Sequence, residues 1–184
     1  MDPILLIVLA VVAVVGGWLV LTYNTLVQSR NRADEAWSDI EVQMKRRYDL
    51  IPNVVETVKA YARHEEGVFS KVSQARAAAM GAKSAAEHAS AETALSQSLM
   101  SLFAVAEAYP SLQAAGNFLH LQTELVDAED KIQAARRFYN GNVRDFNTRV
   151  QTFPANLIAN TFGFRAREFF DAPDIAAEPV KVQF

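Results

Sequence analysis

The chain has 184 residues, with 18 basic against 21 acidic side chains, a formal net charge of −3 and no cysteine. That length holds one domain of ordinary size beside an anchor. The absence of cysteine excludes disulfides, thiolate catalysis, iron–sulfur clusters and thiolate zinc sites, and the charge balance lacks the broad positive field that a nucleic acid partner requires.

The first element is apolar. Residues 4–21 carry no charge, and as a helix they span about 27 Å, close to the thickness of a bilayer's hydrocarbon core. Trp18 and Tyr23 stand near one end, where amphipathic rings favour the headgroup layer, and Pro3 suits a first helical turn. A cleaved signal peptide fits less well, because Met1 and Asp2 supply no basic leader and no small-residue cleavage pattern follows. A buried helix of a soluble core is also less apt, since such helices rarely stay uncharged for so long. Residues 1–23 therefore read as a transmembrane anchor with the lipid bilayer as its partner. No basic residue precedes the span, while Arg30, Arg32, Lys45, Arg46 and Arg47 follow it, so the N-terminus is expected outside and the bulk of the chain in the cytoplasm.

With few glycines and prolines and long alanine- and glutamine-rich stretches, the rest of the chain favours helix. The expected fold class is all-α: the anchor continues into an antiparallel up-and-down four-helix bundle over residues 24–170, followed by a flexible tail at 171–184. Ala33, Trp37, Ile40, Met44 and Tyr48 repeat at steps of three and four and form one buried stripe on a helix running on from the anchor. Pro52 disfavours helical geometry at Ile51, which predicts a tight turn over residues 49–53. A second helix then carries Val55, Val58, Ala62, Glu65, Phe69, Val72, Arg76 and Ala79 to a stop at Gly81. Ser90 is the expected cap of a third helix, with Leu95, Leu99, Leu102, Ala106 and Tyr109 facing inward. Pro110 either turns the chain or kinks it, and the turn is the reading adopted. A fourth helix of about 42 residues follows, with Leu112, Ala115, Leu119, Gln122, Val126, Glu129, Ile132, Arg136, Tyr139, Val143, Phe146, Val150 and Phe153 on its seam. Beyond Pro154, the aromatic residues Phe162, Phe164, Phe169 and Phe170 are expected to cap one end of the bundle, with contact to the membrane surface as the alternative. The tail ends in Val180, Val182 and Phe184, an alternating pattern that could add as a strand to a partner's sheet edge, although disorder fits its composition better.

No catalytic centre, cofactor site or metal site emerges. His64 and Glu65 begin like a zincin motif, but Val68 stands where the second histidine belongs. The unusual residues are polar ones on or beside the seams: Arg30, Glu65, Gln122, Glu129, Arg136 and Asn140. They are expected either to fix helix register by pairing, for instance Glu129 or Glu65 with Arg136 or Arg30, or to lie solvated at the seam's edge.

Several blocks carry a family resemblance: Tyr23-Asn24-Thr25-Leu26-Val27, Ala36-Trp37-Ser38-Asp39-Ile40, and Lys45-Arg46-Arg47-Tyr48-Asp49-Leu50-Ile51-Pro52-Asn53, with Tyr109-Pro110, Phe138-Tyr139-Asn140, Phe153-Pro154 and Phe162-Gly163-Phe164 further on. In these the chain resembles the LemA family of bacterial membrane proteins over nearly its whole length. The resemblance implies a single-pass protein with a short outer N-terminus and a cytoplasmic four-helix bundle. It implies no known reaction, substrate or cofactor, and some relatives are associated with specialised bacterial membranes. The expected function is a non-enzymatic scaffold at the bacterial inner membrane that forms homo-oligomers or organises a membrane-protein partner. The alternative is an adaptor for a membrane protease or envelope-stress system, engaged through the tail.

Overall fold

The computed structural model describes residues 2–170. Six helices follow in order: α1 (Pro3–Lys59), α2 (Glu66–Gly81), α3 (Ala85–Glu107), α4 (Pro110–Gln113), α5 (Gly116–Gln151) and α6 (Ala155–Thr161), with no strand among the described residues. The chain packs as two units. One joins the part of the chain up to Ser38 with Phe138–Arg167; the other joins Asp39–Arg137 with residues 168–170.

The second unit is the four-helix bundle. Its helices are the end of α1, α2, α3 and the beginning of α5, and short links make successive helices antiparallel. Its buried residues are largely aliphatic: Ile40, Met44, Ile51, Val54 and Val58 of α1, Val72 of α2, Leu95 and Leu102 of α3, and Leu125 and Ile132 of α5. In α5 the buried residues Phe118, Leu125, Ile132, Tyr139 and Phe146 recur every seventh position, a heptad spacing. Of the seam expected for this helix, Leu112, Ile132, Tyr139, Val143, Phe146 and Val150 are buried, and Ala115, Gln122, Glu129 and Arg136 are half-buried. Leu119, Val126 and Phe153 are exposed. Because α4 and the break at residues 114–115 separate Leu112 from α5, its phase does not carry into the longer helix.

Two boundaries differ from the sequence reading. The chain does not turn at residues 49–53; α1 passes through Pro52 and ends at Lys59, and the reversal lies at residues 60–65. Proline has no N–H for the carbonyl four residues back, here that of Tyr48. Arg76 of α2 supplies the donor instead, its Nε reaching the Tyr48 oxygen at 2.7 Å. With that acceptor satisfied and Ile51, Val54, Val55 and Val58 all buried, packing overrides the local preference. The cap of α3 is Ser84 rather than Ser90: its hydroxyl accepts from the Glu87 N–H at 3.2 Å, while the Glu87 carboxylate accepts from the Lys83 N–H at 2.8 Å. At Pro110 the chain turns: α3 has already ended at Glu107, and Pro110 starts α4.

The first unit combines the beginning of α1, the end of α5, α6 and the stretch after it. Leu26, Phe146, Val150, Ile158, Ala159 and Phe164 form its core. Helix α6 closes with Gly163 at φ +74°, the left-handed conformation that favours glycine. The Phe164 N–H then reaches the Ala159 carbonyl at 2.9 Å, and the turn delivers the Phe164 ring into the core. Farther along, the Asn147 side chain clamps the Arg167 backbone through both its amide and its carbonyl, at 2.9 and 2.8 Å, and the Arg167 guanidinium pairs with Asp34 at 2.5 Å. At its other end this unit presents the apolar part of α1, whose most apolar stretch is long enough to cross a membrane and has no buried residue.

Candidate functional site

The polar centre of the bundle gathers around Arg47. The core stripe of α1 carries Met44, Tyr48 and Ile51, and Arg47 stands one position off it, so its guanidinium enters between α3 and α5. It is 2% exposed. It donates to Ser96 at 2.9 Å and to Glu129, and lies 3.1 Å from Glu92. Glu92, also buried, accepts from the Tyr48 hydroxyl through its other oxygen. The Glu92–Arg47 contact is an ion pair without hydrogen-bond alignment, which leaves Glu92 Oε2 without a hydrogen-bond partner. Burial pushes the Glu92 carboxyl above its ordinary value, partly opposed by the charge of Arg47 and the bond from Tyr48. Burial, and then the bond to Glu92, push the Tyr48 phenol up as well.

An open cavity of about 240 Å³ borders this cluster, with Arg47, Ser96 and Glu129 on one side and Leu99, Phe103 and Leu125 among its apolar lining. On a more exposed face, Arg46 pairs with Glu124 at 2.5 Å and Asp127 at 3.0 Å. Lys131 also bonds Asp127, and these cations hold the Asp127 carboxyl below its ordinary value, Lys131 first. The basic run Lys45-Arg46-Arg47 is thus engaged inside the chain, with Lys45 on Asp49 at 3.0 Å.

The residues singled out from sequence are scattered. Glu129 lies in the buried cluster, where it pairs with Arg47 and not with Arg136 or Arg30. Arg136 donates to the Phe170 carbonyl at 2.7 Å and covers the Phe170 ring. Arg30 covers the Phe164 ring at 5.5 Å. Glu65 precedes α2 without capping it through its side chain. Gln122 borders a second cavity, of about 300 Å³, beside Phe103 and Phe118. Asn140 is half-buried on α5. Among the aromatic residues, Phe164 and Phe170 are buried, Phe169 is half-buried and Phe162 is exposed. Val180, Val182 and Phe184, like the rest of the tail at 171–184, lie outside the described residues. Sequence reasoning did not single out Glu92, which sits among small polar residues of α3 with no mark of its burial. Arg47 was legible only as part of a basic cluster, although its place beside the Met44–Tyr48 stripe was the available signal. Among the described residues no three histidine or carboxylate side chains converge as a metal set.

An exposed apolar helix that continues into the core of a helical bundle, with the bundle's buried charges paired to one another, fits the class of membrane-anchored helical-bundle proteins. The chain belongs to the LemA family, whose model matches residues 36–184. It is 27% identical over 199 residues to magnetosome protein MamQ 2 of Paramagnetospirillum magneticum, covering 94% of this chain and 73% of that protein. It is 26% identical over 188 residues to magnetosome protein MamQ of Magnetospirillum gryphiswaldense, covering 88% and 69%. It is 28% identical over 156 residues to protein LemA of Metamycoplasma hominis, covering 83% and 70%.

Proposed function

We propose that the chain is a non-enzymatic scaffold of the bacterial inner membrane that associates with itself or holds partner proteins at the bilayer surface. The observation that carries this reading is the double duty of α1. One helix supplies the bare apolar segment and, from Leu26 to Val58, a row of core residues. Apolar segment and core row therefore belong to one continuous helix. The buried charges support the same reading, since Arg47, Glu92, Tyr48, Ser96 and Glu129 engage one another and hold the helices in register. The magnetosome names of two relatives agree with a place on a bacterial membrane. The basic residues after the apolar segment favour a cytoplasmic bundle.

Size-exclusion chromatography with light scattering in detergent tests the scaffold role. A mass of two or more protomers, or a stoichiometric copurifying protein, is the expected result; a strict monomer with no companion overturns it. Because the chain has no cysteine, a single M80C variant also reports orientation. Exposed Met80 should, as the M80C thiol, escape an impermeant maleimide in intact cells and react once the inner membrane is opened.

A further inference from the structure

The large apolar residues exposed outside the α1 apolar segment include three that gather where that segment ends. Phe153 is 74% exposed, Leu157 58% and Phe162 62%. They come from α6 and the residues around it, and two contacts fix their level along α1. The Phe162 ring packs edge-on against Tyr23 at 4.9 Å. Thr152 and Ala155 share with Leu21, Thr22 and Thr25 the wall of a cavity of about 310 Å³, with Arg149 at its rim. Residues 22–25 of a helix whose apolar run ends at Leu21 lie up to about 6 Å beyond it, the depth of the headgroup layer.

The charge around these residues is one-sided. Residues 146–167 carry Arg149, Arg165 and Arg167 and no acidic residue, and α1 is uncharged from residue 3 to residue 29. Arg167 is engaged by Asp34, whereas Arg149 and Arg165 are exposed. Aromatic and aliphatic side chains at headgroup depth, flanked by arginines, are the composition of an element lying in the interface of an anionic membrane.

We propose that α6 is a second membrane contact, its Phe153–Leu157–Phe162 face inserted into the headgroup region of the bilayer that α1 crosses, with Arg149 and Arg165 on lipid phosphates. The proposal rests on α1 crossing that bilayer. It assigns to phospholipid a face that the internal packing leaves open, while Phe164 on the opposite side of the same turn fills the protein core. The continuity of this face with the apolar segment selects lipid over a second copy of the chain as its cover.

Nitroxide labels on single cysteines of the full chain test it: F153C, L157C and F162C, with V12C as a marker inside the span and V126C, on exposed Val126 of the bundle, as a marker in water. The protein is reconstituted into vesicles of phosphatidylcholine and phosphatidylglycerol, and collisions with oxygen and with a water-soluble nickel chelate are compared. The expected result is V12C oxygen-accessible, V126C nickel-accessible, and the three α6 sites several-fold less accessible to nickel than V126C while open to oxygen. If V12C is deep but the α6 sites match V126C, the proposal falls and the anchor stands. If V12C itself is nickel-accessible, both fall. If the α6 sites are closed to both reagents and their labels broaden one another, a second copy covers the face and the proposal falls. Where a label at position 162 loosens the Tyr23 contact, positions 153 and 157 decide.

Discussion

Replacing Arg76 by methionine removes the donor that stands in for the missing N–H of Pro52 and keeps most of the aliphatic stem. The Tyr48 carbonyl then loses the 2.7 Å bond it receives from α2, at a residue only 6% exposed. Hydrogen bonds from charged donors contribute about 1.5–3 kcal/mol, and a buried acceptor left unmade costs about 1–3 kcal/mol. Arg76 is half-buried, so the lower part of that range, about 1.5–2 kcal/mol, is the expected loss for R76M. For a chain of this size that lowers Tm by about 3–8 °C. The partner substitution P52A gives α1 its own N–H at the same acceptor and removes a residue about 3 kcal/mol less favourable than alanine inside a helix. In the P52A background, R76M should therefore cost less than about 1 kcal/mol, because the backbone now serves Tyr48. Thermal unfolding of the four proteins in detergent, followed by circular dichroism at 222 nm, gives the cycle. An R76M penalty that is the same with Pro52 present and in the P52A background would refute the substitution of side chain for backbone.

Other consequences can be measured in the same way. At 3.1 Å the Arg47–Glu92 attraction is about 5 kcal/mol at an effective dielectric near 20, comparable with the cost of desolvating both groups. R47M, which leaves Glu92 buried and uncompensated, should cost about 3–5 kcal/mol, and R47M/E92Q should recover more than half, whereas no recovery would exclude this account. The Glu92 carboxyl is raised in the folded chain from an ordinary value of 4.5, so its contribution is fully present below that pH and is lost as pH climbs through the raised value. The Tm of E92Q minus that of the unsubstituted chain should accordingly rise between about pH 4 and pH 8; a falling difference would contradict the sign. Space is free around Gly163, so G163A meets only the backbone penalty of φ +74°. It should lose about 1–2 kcal/mol in chemical denaturation, with G163N milder.

The helical class, the apolar first segment and the buried face of α1 were readable because each is a run of many residues obeying one period. From Ala33 to Tyr48 the spacing admits one face only, and those residues are buried apart from half-buried Trp37. Single-residue signals failed where a distant partner decides. Pro52 reads as a break until Arg76, 24 positions on, is seen to serve the orphaned carbonyl, and the real reversal at residues 60–65 contains neither glycine nor proline to mark it. Ser84 and Ser90 offer the same hydroxyl; the carboxylate at Glu87 distinguishes the first. The polar cluster was half legible. Glu129 stood out on the α5 seam, but its partner Arg47 was read as part of a basic run, and Glu92 gave no signal until helix packing brought α1, α3 and α5 around it.

The order in which contacts become available during synthesis follows from the core of the first unit, where Leu26 packs with Phe146, Val150 and Phe164. Those partners emerge from the ribosome about 120 residues after Leu26, which at about 5–20 residues per second is a wait of about 6–24 seconds. Through that interval Leu26 lacks the partners that cover it in the folded chain. Closure of the first unit's core is thus a late event in the protein's biogenesis, and until then Leu26 stays open to whatever meets the nascent chain.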